Sequence, residues 1–158
     1  MPTPSPRRLL PIVAAYLPVP IVGAALSATW NVGASPEGDP GDMVLRGTAL
    51  TPPLFLPVLL LAGAALARNP GTSGRAGAGI VSLVGVAFLA GSTANLPNNF
   101  AAAESAGSPR ALTAGLAAVH LALSLALLYN AVPRLLARED ESPASVGATN
   151  ASGSAFAR

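Results

Sequence analysis

The charged residues of this chain are grouped so that long apolar stretches lie between them. The sixteen charged side chains, nine basic and seven acidic, leave four gaps, at 9–36, 47–67, 76–103 and 111–133. A helix needs about 20 apolar residues to cross roughly 30 Å of hydrocarbon. The pattern therefore predicts four transmembrane helices, near residues 9–30, 49–67, 78–96 and 111–132.

Composition supports a membrane protein. The chain is 51% hydrophobic and only 10% charged, with a mean hydropathy of +0.54, whereas soluble domains carry about 25% charged residues. The apolar blocks are longer than the alternating strands of about ten residues in membrane β-barrels. We therefore expect an all-α integral membrane protein. Short connections make consecutive helices antiparallel neighbours, which predicts an up-down-up-down four-helix bundle.

The arginines predict the orientation, because cytoplasmic loops carry the excess of basic residues. With both termini inside, the outer loops hold only Arg46 and Arg110, and the inner segments hold Arg7, Arg8, Arg68, Arg75, Arg134, Arg138 and Arg158. All nine basic residues are arginine, in a chain rich in Ala, Gly and Pro. This composition is typical of a GC-rich bacterial genome. We predict a multi-pass protein of the cell (inner) membrane with both termini cytoplasmic.

The two ends of the chain differ from the apolar region 9–133. Residues 1–8 form a short cytoplasmic lead, and residues 134–158 are charged and then Ser/Ala/Gly-rich, which predicts a disordered cytoplasmic tail. Arg7 and Arg8 before an apolar run are also compatible with a cleaved signal peptide. The run is long for such a signal, so a retained first helix is the preferred interpretation.

The single histidine, His120, lies near the middle of the fourth apolar stretch. At 100° per residue, Thr113 and Ser124 share its helix face and form a polar stripe. Two interpretations remain open for this stripe: a neutral histidine that packs and hydrogen-bonds against a neighbouring helix, or a ligand site. Asp, Glu, Lys and Arg are missing from all four predicted spans, which argues against an ion-coupled transporter.

Prolines and polar residues suggest where a cavity could form. Pro18, Pro20 and Pro57 fall near the midplane of their spans, where a proline frees a backbone carbonyl and allows a kink. Trp30 and Asn95 follow the first and third spans and predict a polar outer mouth.

The opposite face of the fourth helix carries Ala114, Ala118, Ala122 and Ala126 at four-residue spacing. Small residues allow close helix contact in lipid, so this face predicts a homo-oligomer. The chain has no cysteine, which excludes disulfides and thiolate metal sites. We predict no metal and no cofactor. The basic residues flank the predicted spans, so lipid is the expected partner and nucleic acid is not.

Two functions are compatible with these features. The first is a non-catalytic membrane protein that acts through helix–helix or subunit contacts. The alternative is a membrane-embedded enzyme or carrier for an apolar molecule, such as a quinone or polyketide, that uses His120 near the midplane.

Overall fold

The computed structural model describes residues 9–136, and this region is helical, without β-strands. A short 3-10 helix, Pro40–Val44, lies between the second and third of six α-helices. They are α1 (Leu9–Tyr16), α2 (Pro18–Trp30), α3 (Phe55–Leu66), α4 (Gly71–Ala94), α5 (Leu96–Ser105) and α6 (Arg110–Leu136). The all-α prediction is confirmed for these residues. The predicted lead, 1–8, and most of the predicted tail lie outside them, and residues 134–136 belong to α6.

Three helical units are long and apolar enough to cross a bilayer. They are Leu9–Trp30 with 22 residues, Gly71–Ala94 with 24 and Arg110–Leu136 with 27. The apolar helix α3 has only 12 residues, a length of about 18 Å at 1.5 Å per residue. The structure thus contains three candidate spans where the sequence predicts four.

The first span is interrupted near its prolines. Leu17 separates α1 from α2, keeps helical dihedral angles and donates its N–H to the Val13 carbonyl at 3.1 Å. Pro18 and Pro20 have no N–H, so the helix loses two of its hydrogen bonds at this point. The interruption therefore lies at the prolines named from the sequence.

The predicted second span, 49–67, differs most from the structure. Its first residues are not helical, and α3 begins only at Phe55. Pro57 consequently lies in the first turn of α3, where a missing N–H costs nothing, and it makes no kink in a helix interior. Thr51 and Pro52 each precede a proline, and a residue directly before a proline disfavours the α-helical backbone conformation.

Helix α4 is central and packs against both α3 and α6, while α1 contacts α3 and α6. Small residues bring α3 and α4 together: a Cβ placed on Gly77 would collide with the backbone nitrogen of Ala67, and one on Gly63 would lie 2.8 Å from the Ile80 side chain. Leu60, Val81 and Leu127 are among the fully buried side chains of the core.

Large apolar side chains also cover much of the outer surface. Ile21, Val58 and Leu83 are 64–71% exposed, and contiguous exposed apolar surface marks a contact with lipid or protein. This distribution of apolar side chains over the outer surface of the helices is compatible with a membrane protein.

Candidate functional site

A pocket of about 240 Å³ opens at the end of the bundle where α2 and α4 end and α6 begins. Its wall comes from the α2–α3 connection, the second half of α4, the start of α5 and the first half of α6. Exposed polar side chains, including Arg46, Asn95 and Asn98, lie at one end. Buried Phe88 and His120 lie at the other. The pocket therefore passes from a polar mouth to an apolar floor with one imidazole.

One wall of the pocket is a non-helical segment, residues 48–53, that runs alongside α2. A Cβ placed on Gly23, in the middle of α2, would collide with the Leu50 carbonyl oxygen. The Leu50 side chain is 2% exposed. The connection after α2 thus returns into the bundle instead of staying at its surface.

Three hydroxyl groups hold this segment against α2; we call Ser27, Thr48 and Thr51 the hydroxyl cluster. The Ser27 hydroxyl donates to the Gly23 carbonyl at 2.8 Å, so the Thr48 hydroxyl is the donor in the 2.5 Å contact between Thr48 and Ser27. The Thr51 hydroxyl donates to the Pro20 carbonyl at 3.0 Å.

Thr48 also organises the segment itself. The backbone N–H groups of Leu50 and Thr51 both donate to Thr48 Oγ1, each at 3.2 Å. One side chain therefore satisfies two buried backbone donors that have no helix to accept them. Every hydroxyl of the cluster has a partner.

Three rings form what we call the aromatic cluster: Tyr16, Phe88 and His120. Tyr16 stacks on Phe88 with ring centroids 4.6 Å apart, and meets the His120 ring edge-on at 5.8 Å. Phe88 and His120 also line the pocket. Tyr16 is fully buried and does not line it, so it supports the floor from behind.

His120 makes one hydrogen bond through its ring, between Nδ1 and the Leu116 carbonyl at 2.8 Å. A carbonyl only accepts, so Nδ1 carries the proton. The Nε2 atom is buried and has no hydrogen-bond partner among residues 9–136, and the same holds for the Tyr16 hydroxyl. The aromatic cluster therefore contains unsatisfied polar atoms, unlike the hydroxyl cluster.

The structure brings some of the predicted site residues together and separates others. Thr113, His120 and Ser124 are all buried on one face of α6, with Ser124 donating to the His120 carbonyl at 2.6 Å. Only His120 of these three lines the pocket, together with Asn95. Trp30 is half-buried and is not part of the wall.

The alanine face lies on the outer side of α6. Ala114, Ala118 and Ala122 are exposed and Ala126 is half-buried. The homo-oligomer expected through this face stays a prediction.

Sequence reasoning missed Thr48, Thr51 and Arg46 as wall residues. Thr48 and Thr51 lie in the 47–67 gap, whose apolar length suggested a simple span. The adjacent Pro52 and Pro53 were the available signal, because two prolines in succession disfavour a helix before residue 54.

Charge at the pocket is confined to its mouth. Arg46 is the one charged residue of the wall; its side chain is 77% exposed and lies 3.9 Å from Asp42. Within residues 9–136 no three His, Cys, Asp or Glu side chains are grouped as a metal site. Beside the mouth, Arg110 Nε donates to the Glu104 carboxylate, and this hydrogen bond holds the pKa of Glu104 below its ordinary value.

Comparisons of the chain with protein-family models, with curated proteins and with solved structures found no match.

Proposed function

We propose that this chain is a multi-pass membrane protein that binds a small, largely apolar molecule in the pocket above His120. The observation that carries the proposal is a buried, unpartnered ring nitrogen in a residue that lines an open pocket. Leaving such an acceptor unsatisfied costs about 1–3 kcal/mol. Binding sites characteristically combine apolar walls with a few such polar groups.

The alternative, in which His120 only locks helix packing, is less well supported. The ring nitrogen Nδ1 bonds to Leu116, four residues earlier on the same helix. This bond does not tie α6 to a neighbouring helix, and the edge-on contact with the Tyr16 ring of α1 leaves Nε2 without a partner among residues 9–136. The ligand interpretation therefore fits the contacts of His120 better.

The non-helical segment 48–53 also supports a binding site. In a membrane, irregular backbone is tolerated only where it is buried in protein or lines a cavity. Here the segment is held by the hydroxyl cluster on one side and lines the pocket on the other. We therefore interpret segment 48–53 as a binding loop that lies within the membrane.

We further propose that the protein lies in a bacterial inner membrane with both termini inside. The three long helical units cross it, and α3 together with segment 48–53 completes the bundle as a fourth, partly non-helical crossing. This topology follows the arginine bias and places the pocket mouth on the outer side.

Cysteine accessibility tests the topology, because the chain has no native cysteine. Ser35 in the α2–α3 connection and Ser73 in the first turn of α4 are both exposed and lie at opposite ends of the bundle. A membrane-impermeant maleimide added to intact cells is expected to label Ser35→Cys and to leave Ser73→Cys unlabelled. The reverse pattern would overturn the orientation.

Pocket filling tests the binding function. A Cβ on Gly91, in the pocket wall, has no atom within 4 Å, so Gly91→Leu fills the pocket without displacing the backbone. Gly115→Leu is the matched control, because Gly115 is equally open but does not line the pocket.

The probes are 4-fluorophenol and 4-fluoroanisole. Fluorine NMR measures their binding to the full chain in lipid nanodiscs, with empty nanodiscs as the blank. A cavity of about 150 Å³ accepts benzene, so one substituted ring suits this pocket. We expect at least one probe to bind the unmodified protein and Gly115→Leu, and to lose binding in Gly91→Leu. If neither probe shows binding that depends on Gly91, the proposed function is wrong.

A further inference from the structure

The proton on His120 Nδ1 determines what the other ring nitrogen can do. Because the Leu116 carbonyl, 2.8 Å away, can only accept, Nδ1 is the donor. In the neutral imidazole, Nε2 then carries a lone pair and no proton, so it can only accept. Nε2 is also the ring nitrogen farther from the backbone and from the axis of α6.

Residues 9–136 leave this lone pair without a hydrogen-bond partner. Nε2 makes no hydrogen bond with any of residues 9–136, although the Tyr16 ring meets the imidazole edge-on. The other nearby wall residues, Phe88 and Leu116, present carbon atoms. The Tyr16 hydroxyl is also buried and without a partner among residues 9–136, so in this arrangement of the two rings Nε2 is left to accept from a bound molecule.

We infer that the ligand of this pocket carries a hydroxyl group, or an equivalent hydrogen-bond donor, on an apolar body, and that His120 Nε2 accepts from it. This inference rests on the proposed function and adds the chemical class of the ligand. Phenols, hydroquinones and alcohols belong to this class. A molecule whose polar end offers only carbonyl or ether oxygens, such as a quinone, would face the lone pair with another acceptor.

The shape of the pocket restricts how the donor approaches. Nε2 is itself covered, while other parts of the wall are open. A donor has to come within about 3 Å of the nitrogen, so the side chains that cover Nε2 have to move to admit a hydroxyl group. The ring or chain of the ligand then contacts Phe88, Leu50 and Leu116, and the mouth contributes amides from Asn98 and Asn99.

The test compares the two ring probes. 4-Fluorophenol and 4-fluoroanisole differ in one methyl group on oxygen, which removes the donor and keeps the acceptor. Anisole is the more apolar molecule, so non-specific partitioning favours it. We expect the unmodified full chain in nanodiscs to bind the phenol at least about tenfold more tightly, equivalent to about 1.4 kcal/mol.

Two variants show whether His120 causes the preference for the phenol. His120→Leu keeps an apolar side chain of similar size without the acceptor, and is expected to bind both probes with affinities within about threefold of each other, a difference below 1 kcal/mol. Gly115→Leu is expected to keep the full preference. If His120→Leu does not fold, the comparison of the two probes on the unmodified chain still decides whether the ligand must carry a donor.

The outcomes separate this inference from the proposed function. Equal or tighter binding of the anisole to the unmodified chain, still lost in Gly91→Leu, would overturn the donor requirement and leave the binding pocket intact. Binding of neither probe in a Gly91-dependent way would overturn both. A phenol preference that survives in His120→Leu would assign the donor's partner to another residue and also overturn the inference.

Discussion

The hydroxyl cluster and the aromatic cluster are both buried and both contribute side chains to the pocket wall, but they differ in how their polar atoms are satisfied. Ser27, Thr48 and Thr51 all have hydrogen-bond partners, including backbone groups of α2 and of the segment they fix. In the aromatic cluster, the Tyr16 hydroxyl and His120 Nε2 have none among residues 9–136. The first arrangement stabilises the fold, whereas the second costs stability.

This contrast separates satisfied from unsatisfied buried polar groups within one small protein. A satisfied buried hydroxyl contributes about 1 kcal/mol, and an unsatisfied one costs about 1–3 kcal/mol. Substitutions that remove a polar atom should therefore lower stability in the hydroxyl cluster and raise it where the atom has no partner. Stability can be measured in each case by unfolding the protein and recording the fluorescence of its single tryptophan, Trp30.

The largest loss of stability is expected from Gly23→Ala, which attacks the contact between α2 and segment 48–53. The added Cβ would collide with the Leu50 carbonyl oxygen, a backbone atom that cannot rotate away. Overpacking of this kind costs about 3 kcal/mol. Thermal unfolding in detergent measures this loss of stability.

Gly115→Ala serves as the control, since its Cβ meets nothing within 4 Å and a helical Gly→Ala change stabilises by about 0.5–1 kcal/mol. Equal melting temperatures for the two variants would show that segment 48–53 does not lie against α2.

Thr48→Val should have the next largest effect. It keeps the shape of the side chain but removes the donor to Ser27 and the acceptor for the N–H groups of Leu50 and Thr51. We expect a loss of about 2 kcal/mol. The exposed Thr29, which bonds only to the Ala25 carbonyl of its own helix, is the matched control. Thr29→Val should change stability by less than about 0.5 kcal/mol.

Thr113→Val makes the same chemical change with the opposite expected sign. Thr113 is 1% exposed, and its hydroxyl has no hydrogen-bond partner among residues 9–136. Replacing it by a methyl group removes an unsatisfied polar atom, so stability is expected to rise by about 1 kcal/mol. A melting temperature that falls as far as that of Thr48→Val would contradict the distinction between the two kinds of buried hydroxyl.

The smallest effect concerns the exposed pair Glu104–Arg110 at the α5–α6 connection. The hydrogen bond from Arg110 lowers the pKa of Glu104 in the folded protein. The contribution of this pair is therefore present above the ordinary pKa of glutamate and is lost as the pH falls through the lowered value. The melting temperature of Glu104→Gln should lie below that of the unmodified chain at neutral pH, and the two should converge as the pH falls through the lowered pKa of Glu104.

Salt provides a second check on the same pair, because exposed ion pairs are screened. The difference in melting temperature between Glu104→Gln and the unmodified chain at neutral pH should become smaller at high ionic strength. A difference that is independent of both pH and salt would mean that Glu104 acts through packing and not through its charge.

Part of the site could be predicted from the sequence. His120 stood out as the one ionisable group within an apolar stretch, and the helical period put Thr113 and Ser124 on its face, where the structure buries all three. Asn95 was expected at a polar mouth and lines the pocket. These features depend on positions along one helix or next to its end, which local periodicity describes well.

The remaining features depend on contacts between distant parts of the chain. Segment 48–53 lines the pocket because Thr48 reaches Ser27, 21 residues away, and Thr51 reaches the Pro20 carbonyl, 31 residues away. Apolar length alone does not separate a spanning helix from an extended segment that is buried in protein, since both remove apolar surface from water. The sequence therefore predicts a helix over 49–67, whereas α3 covers only Phe55–Leu66.

The sequence by itself determined that this chain forms apolar helices, because the spacing of its charges matches the length of hydrocarbon that a helix must cross. It also determined that the fourth apolar stretch has one polar face, because side chains repeat every 3.6 residues along a helix. Only the tertiary structure decided which polar atoms are satisfied: the return of segment 48–53 gives the hydroxyls their partners, and nothing in residues 9–136 does the same for His120 Nε2. Hydrogen bonding at buried sites is set by which distant groups come within about 3 Å of each other, and no local pattern encodes that distance.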